Sequence, residues 1–162
     1  MPGLTRKGAK GALLDVYEDA LIALQECIAD LSDEDLVAVL LPDDEECKSI
    51  QTILTHVVSS SYSYAVYIHE LKGNLYIRPE ERLHTSAMEY VRDLKDAFEF
   101  NLKVFLEVNN EELEQFDAGR KMMTRWNQLY DIEQLTEHAI VHVLRHRRQI
   151  EKFKLLLNNP TR

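Results

Sequence analysis

The chain has 162 residues, 45% of them hydrophobic, which favours one globular domain over residues 1–162. Its net charge of −9 disfavours a general nucleic-acid-binding protein, because such proteins gain affinity by neutralising phosphates. Two unpatterned cysteines predict a reducing, cytoplasmic compartment, and no apolar run is long enough to cross a membrane or to form a signal core.

The first third of the chain predicts one long and one short helix. Residues 1–11 contain three glycines and a proline among basic residues, which predicts a flexible start. Residues 12–31 show apolar positions at helical spacing and predict a long helix. Ser32 can cap a short helix that continues to Leu41, and the acidic residues 43–46 are predicted to form a loop.

The middle of the chain predicts two more long helices. Ser49 can cap the second long helix, whose apolar face continues until Gly73 ends it. Residues 74–85 have little helical periodicity and predict an extended connection. Ser86 with Glu89 offers a capping box for the third long helix.

The last third predicts a fourth long helix after an irregular stretch. Residues 109–119 are polar, with one helical turn expected around residues 111–116, and residues 120–130 are expected to be strand-like or irregular. Asp131 can cap the fourth helix, which ends near Asn158. Four long helices predict an all-α four-helix bundle.

Two histidines interrupt the apolar stripe of the fourth helix. The stripe runs through Leu135, Ala139 and Ile150, and the positions that fill its gap are His142 and His146. Burying an unpaired imidazole costs about 1–3 kcal/mol, so two of them one turn apart imply a partner. A shared metal ion is one such partner. Hydrogen bonds to backbone or water, or partial exposure on a charged helix, are the alternatives.

Two other histidines bear on this site. His138 also precedes His142 by four residues, but it lies about 40° further round the helix, towards a polar side. We therefore rank it below His146. His56 lies within or at the margin of the apolar face of the second long helix.

Two segments resemble the DinB-like metalloprotein superfamily. Residues 49–56, SIQTILTH, resemble the start of its second helix. Residues 142–150, HVLRHRRQI, resemble its His-x-x-x-His-Arg-Gly-Gln-Ile signature, with Arg148 where glycine is common. The resemblance covers about residues 13–157 and implies an up-down-down-up bundle, often a homodimer, with residues 74–85 crossing between parallel second and third helices.

The resemblance also implies a three-histidine site for a divalent zinc, nickel or iron ion. Carried over by position, its ligands are His56, His142 and His146, the same residues that the apolar stripes single out. His69 and His84 match no ligand position, and we expect them at the surface.

Such a site permits catalysis, because three histidines leave a zinc-like ion one coordination position for water or substrate. The ion would acidify water or hold a substrate thiol as thiolate. The superfamily includes enzymes that transfer low-molecular-weight thiols, so the resemblance implies a small-molecule substrate and thiol transfer or hydrolysis. The alternative is a non-catalytic metal-binding or dimeric interaction module, which a sealed site or a fourth protein ligand would favour.

Several further residues have two interpretations each. Asp15 and Glu18 on the first helix are candidate bases only if their helix face meets the metal, which the sequence does not show, and Gln149 either orients a ligand or faces solvent. Residues 120–162 hold nine lysines and arginines against four acidic residues, which favours either an anionic substrate or attraction between the two halves. Four aromatic residues are expected either to line a pocket or to pack in the core: Tyr17, Tyr62, Tyr64 and Trp126.

Overall fold

Five helices and one small hairpin make up the computed structural model, which describes residues 6–159. The predicted long helices are confirmed, and the fold is all-α apart from two strands of two residues each. The elements are α1 (Gly8–Ile28), α2 (Asp33–Val37), α3 (Ile50–Leu71), α4 (Ala87–Phe105), β1 (Met122–Met123), β2 (Leu129–Tyr130) and α5 (Ile132–Asn158), with 3₁₀ turns at Asn110–Glu112 and Ala118–Arg120.

Side-chain caps begin α3 and α5 at the predicted residues. Ser49 Oγ accepts a hydrogen bond from the Thr52 N–H at 3.1 Å, and Thr52 Oγ1 accepts one from the Ser49 N–H. Asp131 and Gln134 form the same reciprocal pair at 2.8 and 3.1 Å. These bonds satisfy N–H groups of the first helical turn and so define where both helices start. The predicted capping box at Ser86 is wrong, because its side chain makes no cap hydrogen bond.

The first helix begins earlier than its apolar pattern predicts. α1 starts at Gly8, so the prediction of a flexible start over residues 1–11 is wrong from Gly8 onward. Residues 1–5 lie outside the described part of the chain. Gly8 has a φ of +76°, a conformation that glycine adopts without steric cost, and this turns the chain into the helix.

The segment between α2 and α3 is tied to the start of α3. α2 ends at Val37 rather than at Leu41, because the N–H groups of Leu40 and Leu41 donate to the Lys48 carbonyl at 2.8 and 3.2 Å. Lys48 directly precedes the α3 cap. The acidic loop of residues 43–46 is therefore held beside the first turns of α3.

One cluster of buried hydrophobic side chains joins the four long helices. α1 packs against α4 and α5, and α3 packs against the same two helices. Within residues 6–159, none of the helices is both long enough and apolar enough to span a membrane. The largest fully buried side chains include Tyr17, Leu21, Leu24 and Ile28 from α1, Ile50, Ile53, Leu54 and Ile68 from α3, Tyr90 and Phe105 from α4, and Phe153 from α5.

α3 and α4 run parallel to each other. The hydroxyl groups of Thr55 and Tyr90 lie 2.7 Å apart, and further along both helices Asn101 Nδ2 donates to the Ser61 carbonyl at 3.0 Å. Residue numbers therefore increase together along this pair. Residues 74–85 connect the end of one helix to the start of a parallel one, which is what a crossover requires.

The stretch expected to be strand-like or irregular forms the antiparallel β1–β2 hairpin. Its turn is closed by the Thr124 N–H donating to the Gln128 carbonyl at 2.9 Å, and Asn127 adopts a φ of +61°. The Arg125 N–H donates to the Tyr67 hydroxyl of α3 at 2.9 Å. The hairpin is thereby anchored beside α3.

Candidate metal centre

The three predicted ligands come together between α3 and α5. His142 and His146 lie one turn apart on α5, and His56 faces them from α3. The Nε2 atom of His142 lies 3.0 Å from that of His56 and 3.2 Å from that of His146. One nitrogen from each ring lies within 4.8 Å of the other two. This group could hold a metal ion.

Two of the three spacings between the ligand nitrogens match those of a metal coordination sphere. Zinc–nitrogen bonds are about 2.0–2.1 Å long, which places tetrahedral ligand nitrogens roughly 3.3 Å apart. The observed Nε2 separations of 3.0 and 3.2 Å are close to that value.

Hydrogen bonds among the rings do not satisfy the cluster. The Nε2 atom of a neutral imidazole carries either one proton or one lone pair. His142 Nε2 faces two other Nε2 atoms, so it can form a good hydrogen bond with only one of them. A central cation would accept a lone pair from all three nitrogens. The donor set therefore fits a metal ion.

Burial keeps the two cluster histidines of α5, His142 and His146, uncharged at neutral pH. Burial, followed by the adjacent rings of His146 and His56, lowers the pKa of His142 to about 3. Burial also lowers the pKa of His146, although its hydrogen bond to Gln149 acts in the opposite direction. Because a metal ion binds only the neutral imidazole, both rings are in the ligating form at pH 7.

The other nitrogen of each ring has its own surroundings. His146 Nδ1 lies 3.0 Å from Gln149 Oε1, which can accept its proton in a hydrogen bond and leave Nε2 as a lone pair. Gln149 therefore makes the contact with His146 that it needs in order to orient this ligand. His56 Nδ1 faces Glu46 Oε2 at 4.0 Å, which is longer than a hydrogen bond. His142 Nδ1 is buried and has no hydrogen-bond partner among the described residues.

His138 lies outside the cluster. Its ring stacks on Trp126, with 5.0 Å between the ring centroids and 21° between the planes, and its Nδ1 lies 3.4 Å from the Tyr130 hydroxyl. The ring centroids of His138 and His142 are 6.3 Å apart, against 4.4 Å for His142 and His146. Of the two i, i+4 pairs on α5, the second is the one that converges with the α3 histidine.

The cluster adjoins a cavity of about 940 Å³. His56 and His142 line this cavity, whereas His146 is only 8% exposed and is not a lining residue. Tyr64 and Trp126 line it, as one of their two interpretations predicted. Its volume lies within the range of small-molecule sites. The charged residues of the lining are Glu46, Glu70, Arg78, Glu81 and Arg125.

The other two candidate lining aromatics lie elsewhere. Tyr17 is 1% exposed and packs in the core against Phe98, with ring centroids 5.7 Å apart. Tyr62 packs against Phe100 at 5.5 Å. Both therefore follow the alternative interpretation, in which aromatic residues at helical spacing serve packing.

The base candidates on the first helix are wrong. Arg6 Nη1 donates to Asp15 Oδ1 at 2.6 Å and to Glu18 Oε2 at 2.8 Å, and in the described chain neither acid lines the cavity. The acidic residue that does adjoin the cluster is Glu46, beside His56. The sequence offered only one signal for it, an acidic loop shortly before the second long helix.

His69 and His84 lie outside the cluster, and both are half-buried rather than fully exposed. The His84 side chain is 13% exposed, and its Nε2 lies 2.6 Å from Asp93 Oδ2. The His69 ring stacks on Tyr76 at 5.9 Å and contacts Phe100, and its Nδ1 is buried.

The basic residues next to His146 do not face the cavity. In the described chain, neither Arg145, Arg147 nor Arg148 lines it, and Arg147 Nε pairs with Glu151 at 3.3 Å. The hypothesis that these residues favour an anionic substrate gains no support. The cationic residues of the cavity are Arg78 and Arg125, and Arg125 belongs to the basic stretch of residues 120–162.

The fold and the cluster together define a helical protein with a candidate three-histidine metal centre. The family model of the DinB family matches residues 9–153, and the chain belongs to this family. The resemblance drawn from the sequence is therefore confirmed. Neither the comparison with curated proteins nor the comparison with solved structures finds a match.

Proposed function

We propose that this protein is a metal-dependent enzyme that binds one divalent ion at His56, His142 and His146. Its substrate is a small molecule bound in the adjoining cavity, and its reaction is thiol transfer or hydrolysis. The observation that carries the proposal is that two of the three ligands line a cavity of about 940 Å³. When bound, the ion supplies a Lewis acid with a coordination position for water or a substrate thiol. Three imidazoles suit zinc, nickel and iron alike.

Side chains around the ligands supply orientation and proton transfer. The hydrogen bond between His146 Nδ1 and Gln149 Oε1 orients that ring so that its Nε2 faces His142 Nε2, where the two nitrogens would hold the ion. Glu46 lines the cavity beside the outer Nδ1 atom of His56, and it is the acidic residue that would accept a proton from a bound water or thiol. Glu70, another acidic lining residue, is 14 residues beyond His56 in α3, about 21 Å further along the helix axis.

Aromatic side chains that pack against one another line one side of the cavity, where they would contact the substrate. Trp126 stacks on His138, and Tyr64 packs edge-to-face against both Trp126 and His142, with ring centroids 6.4 and 5.9 Å apart. Tyr67 packs against Trp126 and accepts the hydrogen bond that anchors the hairpin. Such a wall suits an apolar or aromatic group of the substrate.

The second candidate is a non-catalytic metal-binding or dimeric interaction module with a structural or vestigial site. A sealed site or a fourth protein ligand would favour it. Among the described residues, the group of possible ligands contains the three histidines and no cysteine, aspartate or glutamate. The cavity beside the cluster also supports the enzymatic candidate.

Two further expectations remain part of the proposal. Family resemblance implies a homodimer, and the two cysteines, both free and half-buried, are compatible with a cytoplasmic location. Sedimentation and localisation of a tagged chain would test these two expectations separately.

Cobalt(II) substitution tests the metal site and its open position together. We expect one cobalt ion per chain with the absorption of a four-coordinate site, and a thiolate-to-cobalt band on addition of 2-mercaptoethanol. His142→Ala should abolish both signals, whereas His138→Ala should retain them. Tight cobalt binding without any response to the thiol would refute the open position and favour the non-catalytic module.

A further inference from the structure

Arg78, in the crossover segment, is held against α3 at the wall of the cavity. Its Nη1 donates to Ser59 Oγ at 2.7 Å and to Ser63 Oγ at 2.8 Å. Ser59, Ser63 and Arg78 all line the cavity. The two serines lie four residues apart on one face of α3, so they fix the guanidinium with two directed hydrogen bonds.

The guanidinium retains donors for a ligand. An arginine side chain has five N–H donors, and the two on Nη1 are directed at the serines. Within the described chain, Nη2 and Nε of Arg78 make no hydrogen bond, and the side chain is 34% exposed. A planar donor fork of this kind matches the two oxygens of a carboxylate.

The chain already places one carboxylate beside this fork. Glu81 Oε1 accepts a hydrogen bond from Ser59 Oγ at 2.7 Å and lies 3.9 Å from Arg78 Nη2. The Glu81 side chain is 57% exposed, so an incoming carboxylate can displace it towards solvent. Glu81 therefore shows where a carboxylate fits and also competes for the place.

The position of Arg78 relative to the histidine cluster defines the reach of a ligand. Ser59 and Ser63 follow His56 by three and seven residues in α3, which is about 4.5 and 10.5 Å along the helix axis. A molecule with a metal-binding group at one end would place a carboxylate at Arg78 if the two groups were roughly 5–10 Å apart.

We propose that Arg78, with Ser59 and Ser63, binds a carboxylate group of the substrate whose other end reaches the histidine cluster. This inference rests on the proposed function and names the substrate class as a carboxylic acid. The cavity also holds Arg125 and the acidic residues Glu46, Glu70 and Glu81. Because acidic residues outnumber arginines in the cavity, carboxylate recognition depends on the directed N–H donors of the Arg78 guanidinium rather than on a net positive charge of the cavity.

Matched pairs of probes test the subsite by isothermal titration calorimetry. With zinc-loaded protein, 6-mercaptohexanoate, whose sulfur and carboxylate lie roughly 8 Å apart when extended, should bind about tenfold more tightly than 6-mercaptohexan-1-ol. With metal-free protein, hexanoate should shift the NMR signals of Arg78 and hexan-1-ol should not. If the metal site is assigned wrongly, only the titrations with the two thiols should change. If the Arg78 subsite is assigned wrongly, the acid should have no advantage over the alcohol either in the thiol titrations or in the NMR experiment.

Three variants decide the role of Arg78. Arg78→Gln should bind the acid and the alcohol equally, and Arg82→Gln, on the exposed part of the same segment, should keep the preference. Because Arg78→Gln also loosens the segment from α3, Glu81→Gln supplies an independent check. Removing the competing carboxylate should increase the preference for the acid. Equal binding of both probes to the wild type, or an unchanged or reduced preference in Glu81→Gln, would overturn the proposal.

Discussion

The Nε2 atoms of His56 and His142 lie 3.0 Å apart although the residues are 86 positions apart in the chain. The contact requires α3 and α5 to pack together, with each helix started by its own side-chain cap. A metal ion bound there joins two helices that are distant in sequence. An ion that binds only the folded chain also raises its free energy of unfolding.

Two single mutants on α5 separate the metal ligand from its neighbour. His146→Ala removes one of three donors and should weaken metal binding by roughly several kcal/mol, whereas His138→Ala should change it little. Any thiol-transfer or hydrolytic activity should follow metal occupancy. Metal titrations at one pH, with elemental analysis for the expected one ion per chain, check this prediction. Tight binding by His146→Ala together with weak binding by His138→Ala would contradict the site.

Gln149 should tune the metal site through His146. Gln149→Leu removes the acceptor of the Nδ1 hydrogen bond and should reduce metal affinity about 10- to 100-fold, whereas Gln149→Glu keeps an acceptor and should retain it. Arg148→Ala, at the exposed neighbouring position, is the control. Competition titrations with a chelator measure the affinities. Equal affinity of the leucine variant and the wild type would show that the hydrogen bond has no such role.

The metal-free protein should lose stability in mild acid. The pKa of His142 is lowered to about 3 in the folded state, against about 6.5 when unfolded. The unfolded chain therefore binds more protons between these values, so stability is present above pH 6.5 and falls as the pH decreases towards 3. The loss from this group is at most about 1.4 kcal/mol per pH unit. Urea unfolding at several pH values should show a smaller loss in His142→Ala than in the wild type.

The Asp131 cap should contribute strongly to stability. Asp131 is 3% exposed and accepts hydrogen bonds from the N–H groups of Gln134 and Gln115 at 2.8 and 3.1 Å. Asp131→Ala should cost about 1–2 kcal/mol for the cap and more for the unpaired Gln115 N–H. Ser86→Ala is the control, because Ser86 precedes α4 but makes no cap hydrogen bond. Urea unfolding that gave equal losses for both variants would contradict this account.

Self-association should depend on the outer face of α1 and α5. Val16 on α1 and Val141 on α5 are 51% and 59% exposed beside a shallow groove between the two helices. We expect a dimer at micromolar concentration that Val141→Glu weakens, because it places a charge in an apolar contact. Leu75→Glu, at a 96% exposed position of the crossover segment, is the control. Sedimentation velocity measures both; a wild-type monomer would contradict the dimer and leave the fold unaffected.

Local patterns in the sequence determined the helices and two thirds of the histidine cluster. The starts of α3 and α5 depend on side chains that bond within their own first turns, so Ser49 and Asp131 identify them without a structure. His142 and His146 share a face because the helical period requires it. Placing His56 opposite them already needed the family resemblance, since periodicity indicates a face but not its partner.

Tertiary contacts decided which residues from outside α5 surround the cluster. Glu46 lies beside His56 because backbone hydrogen bonds to Lys48 hold its loop against α3, and Arg78 reaches the cavity because the crossover segment returns along that helix. Trp126 covers His138 because the hairpin is anchored to Tyr67. These residues lie in segments without helical or strand periodicity. Their positions follow from contacts between distant parts of the chain, which leave no local pattern in the sequence.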